Sequence, residues 1–201
     1  MQEIGTNTNF LIFLFTSCIS FGSMITFFIH CNFILKPYGF TDIRLAINAV
    51  ILMIVGLISA LLLICYLKKT SNYQKTLMIL LFANTLIFIL ITIEINIFQD
   101  NFLTTFLTAC LGFFGTPIAF ICYKLGCELV FPMNCLMVIA LLNGCTFLWT
   151  FLSSSFTSLV FGFSSKDSSM LVMIVLSIFM LLSSLSFFCV KIDLKKSQFL
   201  K

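Results

Sequence analysis

Residues 45–67 read LAINAVILMIVGLISALLLICYL, an uncharged run that ends only at Lys68 and Lys69. Coiled as a helix at about 1.5 Å per residue, such a run crosses the roughly 30 Å hydrocarbon core of a bilayer. Five further runs of the same kind surround it. The expected spans are 9–30, 44–67, 77–94, 102–123, 129–153 and 169–190, and together they take up most of the 201 residues. Hydrophobic residues make up 61% of the chain and charged ones 9%, with a mean hydropathy of +1.18. A soluble domain carries charge on about a quarter of its residues, so lipid is the expected solvent.

The spans are expected to be helices, because an open strand edge in lipid leaves backbone groups unpaired. A β-barrel would alternate apolar and polar residues, and these runs do not. The expected fold is therefore an all-α membrane protein of six transmembrane helices, forming one domain over 1–201. The leader before Asn9 carries Glu3 and no basic residue, so the first span reads as a retained helix and not as a cleaved signal. With the N-terminus inside, the inner segments hold Lys68, Lys69, Lys75, Lys124, Lys191, Lys195, Lys196 and Lys201, and the outer ones Lys36, Arg44 and Lys166. This asymmetry places both termini in the cytoplasm, with the plasma membrane as the expected compartment. It also accounts for the net charge of +4 without a nucleic-acid partner.

Polar residues inside greasy spans are the places to look for function. In the first span Thr16, Ser20, Ser23 and His30 fall within about 80° of one another on a helix, forming one stripe. The stripe either lines a solvated cavity or lets a neighbouring helix pack closely and hydrogen-bond. His30, the only histidine, is expected to sit hydrated at the membrane boundary, and Glu94 to reach water at the outer end of the third span. Gly56, Ser59 and Ala60 in the second span have the small-residue spacing of a packing face. The fourth span carries Thr105, Thr108, Gly112 and Thr116 on one face and Pro117 in its middle, where a bend is expected. Lys124 and Glu128 are four apart and placed to pair. The fifth span opens with Phe131-Pro132, and its Asn143 lies near mid-span, where an amide needs a partner. The Ser- and Gly-rich segment 154–168 reads as a flexible connector.

Enzymatic chemistry is not expected. The chain has one histidine, no mid-membrane carboxylate pair and none of the phosphate-loop, metalloprotease or nucleophile-elbow motifs. The nine cysteines include no CxxC pair and read as packing residues, so neither a metal nor a cofactor is expected.

Several short motifs occur in one order along the chain. They are Asn7-Thr8-Asn9-Phe10 with Gly22 twelve residues on, Leu111-Gly112-Phe113-Phe114 with Thr116, Glu128-Leu129-Val130-Phe131-Pro132, Leu141-Leu142-Asn143, and Lys191-Ile192-Asp193-Leu194-Lys195-Lys196. In this order the chain resembles the C-terminal six-helix half of a major facilitator superfamily transporter. More narrowly, it resembles the feline leukaemia virus subgroup C receptor family, associated with choline and haem transport. The resemblance implies a half-bundle that lines an alternating-access pathway. It implies cavity positions at Ile25, where the family has a tyrosine, and at Phe147, where it has a glutamine; Lys124 replaces a carboxylate. Exchanging the tyrosine for Ile25 removes one aromatic face from any cation-binding cage.

The expected function is transport of a small organic solute such as choline or haem, with Ser20, Ser23, Ile25, Thr116, Asn143 and Phe147 as candidate lining residues. With no carboxylate clearly mid-membrane, uniport is expected and not proton coupling. The expected partners are the lipid bilayer, the solute, and a second six-helix half or a homodimer copy. The alternative is a non-transporting membrane scaffold or accessory subunit that uses its small-residue faces to bind other helices.

Overall fold

The computed structural model describes residues 8–70, 72–98, 100–130, 134–161, 166–188 and 190. Asn7, Phe131-Pro132 and the segment 191–196, which carry parts of the resemblance, lie outside them. Six long helices follow in order: α1 (Thr8–Leu35), α2 (Asp42–Thr70), α3 (Tyr73–Ile97), α4 (Asn101–Leu129), α5 (Cys135–Phe161) and α6 (Lys166–Phe187), with a short 3-10 turn at Lys36–Tyr38. Each is long and apolar enough to cross a membrane. The protein is a multi-pass, all-α membrane bundle.

All the helices but α6, which keeps the length of its run, are longer than the apolar runs that announce them, because polar end residues continue the backbone ladder into the interface. α5 differs most. It begins after Asn134, whose side chain accepts the Leu136 N–H at 3.0 Å as a helix cap. It then continues through Phe161, so residues 154–161 of the expected connector are helical; 162–165 lie outside the described residues. The hydroxyls there do not compete with the helix. Ser155 donates to the Phe151 carbonyl and Thr157 to the Ser153 carbonyl, both at 2.8 Å and one turn back.

α1, α4, α3 and α6 form a ring in which each packs on the next, with α2 lying outside on α4 and α5 outside on α1. Exchanging the first three helices for the last three leaves this plan of main neighbours unchanged. Each triplet crosses the membrane three times, so the second begins on the opposite side from the first. The bundle therefore has the plan of an inverted repeat. The α1–α5 and α2–α4 seams are parallel and the α3–α6 seam is antiparallel. In the last, Thr85 reaches the Met180 carbonyl at 3.2 Å and the Thr92 and Ser177 hydroxyls meet at 3.0 Å.

Two apolar clusters fill the ring. One holds Phe10, Phe13, Leu77, Leu81, Leu125 and Val138. The other holds Phe27, Ile34, Phe88, Ile91, Leu111 and Val172. The outer faces of α2 and α5 expose Met53, Leu57, Phe147 and Phe151, each more than 60% accessible. In water such faces would drive aggregation; in a bilayer they are the solvated surface.

The expected packing face on α2 is present: Gly56, Ser59 and Ala60 are buried, and α4 lies against Gly56. A methyl at Gly56 would collide with the Thr116 hydroxyl and lie 3.2 Å from the Gly112 carbonyl. α4 runs without interruption through Pro117. Lys124 and Glu128 pair at 3.4 Å, as their spacing predicts.

Glu94 departs from expectation. It is only 2% exposed and does not reach water. The α3–α4 corner folds over it, so its carboxylate accepts the Asp100 N–H at 2.8 Å and the Thr104 hydroxyl. Asp100 in turn caps α4 through the Phe102 N–H at 3.0 Å. Glu94→Leu is expected to strand the Asp100 N–H, while the Thr104 hydroxyl keeps the Asp100 carbonyl at 2.9 Å, and to destabilise the protein by about 1–3 kcal/mol. Thermal unfolding in detergent would show this, and an unchanged midpoint would remove Glu94 from the corner's support.

Candidate functional site

The polar stripe of α1 faces α5. At the centre of the seam is Gly22: a methyl there would lie 2.7 Å from Trp149 Cδ1 and 3.1 Å from the Thr146 carbonyl. The glycine lets the two backbones approach, and side chains then bond across. Trp149 Nε1–H donates to Ser23 Oγ at 3.1 Å, and the Thr26 and Ser153 hydroxyls meet at 2.6 Å. Farther along, His30 Nε2 lies 3.2 Å from Ser158 Oγ. Of the two readings of the stripe, close packing holds for Ser23, Thr26 and His30.

His30 is therefore not hydrated, as expected from its place in the sequence, but 6% exposed. The cause is the extra length of α5, which carries Ser158 and Phe161 over the ring; Phe161 stacks on it at 6.3 Å. His30 Nδ1 lies 3.2 Å from the Thr26 carbonyl, which can only accept. That makes Nδ1 a donor.

On its other side α5 approaches α4. Tyr123 donates to Asn143 Oδ1 at 2.6 Å, which gives the mid-span amide a partner. The bond lies beside a narrow slot of about 10 Å³ between α1, α4 and α5, lined by Ser17, Phe21, Ala119, Tyr123, Leu142 and Thr146. Asn143 is half-buried, and among the described residues no acceptor lies within reach of its Nδ2. The slot thus presents the Tyr123 phenol ring, whose hydroxyl is held by Asn143 behind it, with hydroxyls on Ser17 and Thr146 turned to carbonyls of their own helices.

The six candidate residues do not line one cavity. Ser20 and Ser23 are buried, Ser23 within the α1–α5 seam. Ile25 is half-buried on α1. Thr116 is half-buried and turned to Gly56 of α2. Asn143 reaches the slot through Tyr123, and Phe147 is 63% exposed on the outer face of α5. Sequence reasoning missed Tyr123 and the α1 side of the slot, Ser17 and Phe21. Tyr123 did carry one signal, a phenol in a span otherwise free of tyrosine. Among the described residues no group of three or more His, Cys, Asp or Glu could hold a metal ion.

No family model matches the chain, and no curated protein matches it.

Proposed function

We propose that this chain is a six-helix transport unit that moves a small organic solute through the membrane. The observation that carries the reading is the exchange of α1–α3 for α4–α6 with the neighbour plan kept and the direction reversed. Carriers that rock between two open states are built on such inverted triplets, with a solute site near the plane where the repeats meet. In this reading the site opens at the α1–α4–α5 slot, which is closed in this structure, and the Tyr123–Asn143 pair contacts the solute. In this reading the unit works against a second set of six helices, from the same longer chain or from a second copy. Both termini lie in the cytoplasm, and the plasma membrane is the proposed compartment. The resemblance to the choline and haem carriers names the first solutes to try. The slot carries no carboxylate, which favours uniport.

The protein reconstituted in phosphatidylcholine vesicles is expected to take up labelled choline or haem with saturation. Asn143→Leu should raise the half-saturating concentration roughly fivefold, the effect of one neutral hydrogen bond, while Trp149 fluorescence stays native. Unchanged kinetics in that variant would remove Asn143 from the path.

A second reading is favoured by one observation, the use of α1's polar stripe to bind α5 instead of lining a channel. In it the chain is a membrane scaffold. Folded protein that moves neither solute, yet retains a partner helix protein through its α2 face, would favour this reading.

A further inference from the structure

Along the antiparallel α3–α6 seam lies a groove of about 610 Å³, separate from the slot assigned to solute. That volume is within the roughly 300–1,000 Å³ of ordinary ligand sites. Phe82, Leu86 and Ile89 of α3 line it together with Leu181 and Leu185 of α6 and Phe114 of α4. Leu86 is 59% and Leu185 49% exposed, so both sides of the groove stand against the bilayer. The Phe82 and Phe188 rings meet across the seam at 5.2 Å. The groove offers an occupant no polar group to bond. Its two hydroxyls, on Thr85 and Ser184, are buried and turned to the Leu81 and Leu181 carbonyls one turn back, at 2.9 and 2.8 Å. None of the lining residues is charged. A hydrated body would lose its water here without replacement, whereas hydrocarbon loses nothing. The occupant is therefore a lipid tail.

The ends of the seam select the lipid. At one end Gln74 Nε2 donates to the Val190 carbonyl at 3.4 Å, which brings the start of α3 beside the end of α6. Lys75 follows it, exposed and, among the described residues, without an ion-pair partner. Helical spacing puts Lys75, Phe82, Leu86 and Ile89 within about 60° of one another, so one face of α3 runs from the membrane surface to the groove. Along the axis Lys75 stands about 10 Å from Phe82 and about 16 Å from Leu86. One leaflet of hydrocarbon is about 15 Å deep. The opposite end of the seam is acidic: Asp100 caps α4 and Asp167 opens α6, while Lys166 lies over the Tyr38 ring at 5.6 Å. A negative headgroup is therefore favoured at the Lys75 end and disfavoured at the other.

We propose that the α3–α6 groove holds an acyl chain of an acidic phospholipid whose headgroup sits at Lys75, in the leaflet on the side where α3 begins and α6 ends. The chain crosses that leaflet along α3 and ends against Leu86, Phe114 and Leu181. The proposal does not depend on transport.

The full chain in detergent would be titrated with dioleoyl phosphatidylglycerol and with dioleoyl phosphatidylcholine, and bound lipid counted by native mass spectrometry. One copy of the acidic lipid is expected to be retained roughly fivefold more tightly than the choline lipid, the attraction of one lysine near the surface. Dioctanoyl phosphatidylglycerol, whose headgroup is the same but whose chains are too short to reach the groove, should fail to displace it. Lys75→Gln should erase the preference for the acidic lipid and still bind a chain. Ala83→Phe, which fills the groove, should release both dioleoyl lipids. Equal retention of the two dioleoyl lipids would overturn the proposal, and so would displacement by the dioctanoyl lipid or an unchanged preference in Lys75→Gln. A dimer that Ala83→Phe disperses would mean that a second copy fills the groove, and would overturn it as well. The comparison of lipids uses the unaltered protein, so the outcome stands even if a variant fails to fold.

Discussion

Gly112→Leu is expected to abolish accumulation of the folded protein, while Gly144→Leu, made in the same way, is expected to leave it intact. Both glycines sit in helix interiors, but they face different surroundings. A methyl at Gly112 would lie 2.5 Å from the Leu52 carbonyl and 3.1 Å from the Leu52 Cα, both backbone atoms of α2. Backbone cannot rotate aside as a side chain can, so α2 and α4 would have to separate along the seam that Gly56, Thr116, Asn48 and Thr105 close. Overpacking a core commonly costs about 1–3 kcal/mol, and forcing two backbones apart exceeds that range. A methyl at Gly144 meets nothing within 4 Å. There the exchange gains helix propensity of up to about 1 kcal/mol and adds a lipid-facing side chain. Detergent-extracted yield and size-exclusion profiles of the two variants decide the matter; similar profiles would mean that the α2–α4 contact is looser than described.

The second large effect has the opposite sign. Asn84→Leu is expected to stabilise the protein by about 1–3 kcal/mol. Asn84 is 1% exposed in α3, and among the described residues neither its Oδ1 nor its Nδ2 has a hydrogen-bond partner. It lies where α1, α3 and α4 meet: a methyl at Gly115 would strike Met24 Sδ and lie 3.3 Å from Asn84 Oδ1. Two unmet polar atoms in this place are a standing penalty, and a leucine, branched at the same carbon, removes both. The measurement is the thermal midpoint in detergent. A fall in that midpoint would mean that the amide is bonded in the native protein, for instance through a buried water.

The number and type of the helices were legible because each continuous apolar run admits only one satisfied backbone in lipid. Local spacing was legible too. Lys124 and Glu128 pair at four residues, and Gly56, Ser59 and Ala60 form the face their spacing announces. The ends of helices were harder to read. Residues 154–161 have the composition of a connector, yet their hydroxyls bond one turn back and the helix continues. That extension is also why His30 is covered, so one boundary decided two outcomes. Glu94 stood at a span end, where a carboxylate normally finds water, and nothing in the order of residues shows the chain turning back over it. The Tyr123–Asn143 pair joins two helices twenty residues apart, a relation that no helical period encodes. Of the candidate site, the amide was therefore legible from its depth in the span, and its phenol partner was not.

The parallel seam between α1 and α5 has a consequence for biogenesis. Thr26 meets Ser153, which is made 127 residues later, and His30 meets Ser158 after 128. At about 5–20 residues per second a ribosome leaves α1 in the membrane for roughly 6–25 s before its partner emerges. Its threonines can wait, since Thr16 and Thr26 bond to the Ile12 and Gly22 carbonyls of their own helix. His30 Nε2 has no such shelter within α1. Asn48 and Thr105, 57 residues apart, close the α2–α4 seam in about half the time. The first of these six helices to enter the bilayer is thus among the last of them to be fully paired, and the insertion machinery must hold it until the fifth arrives.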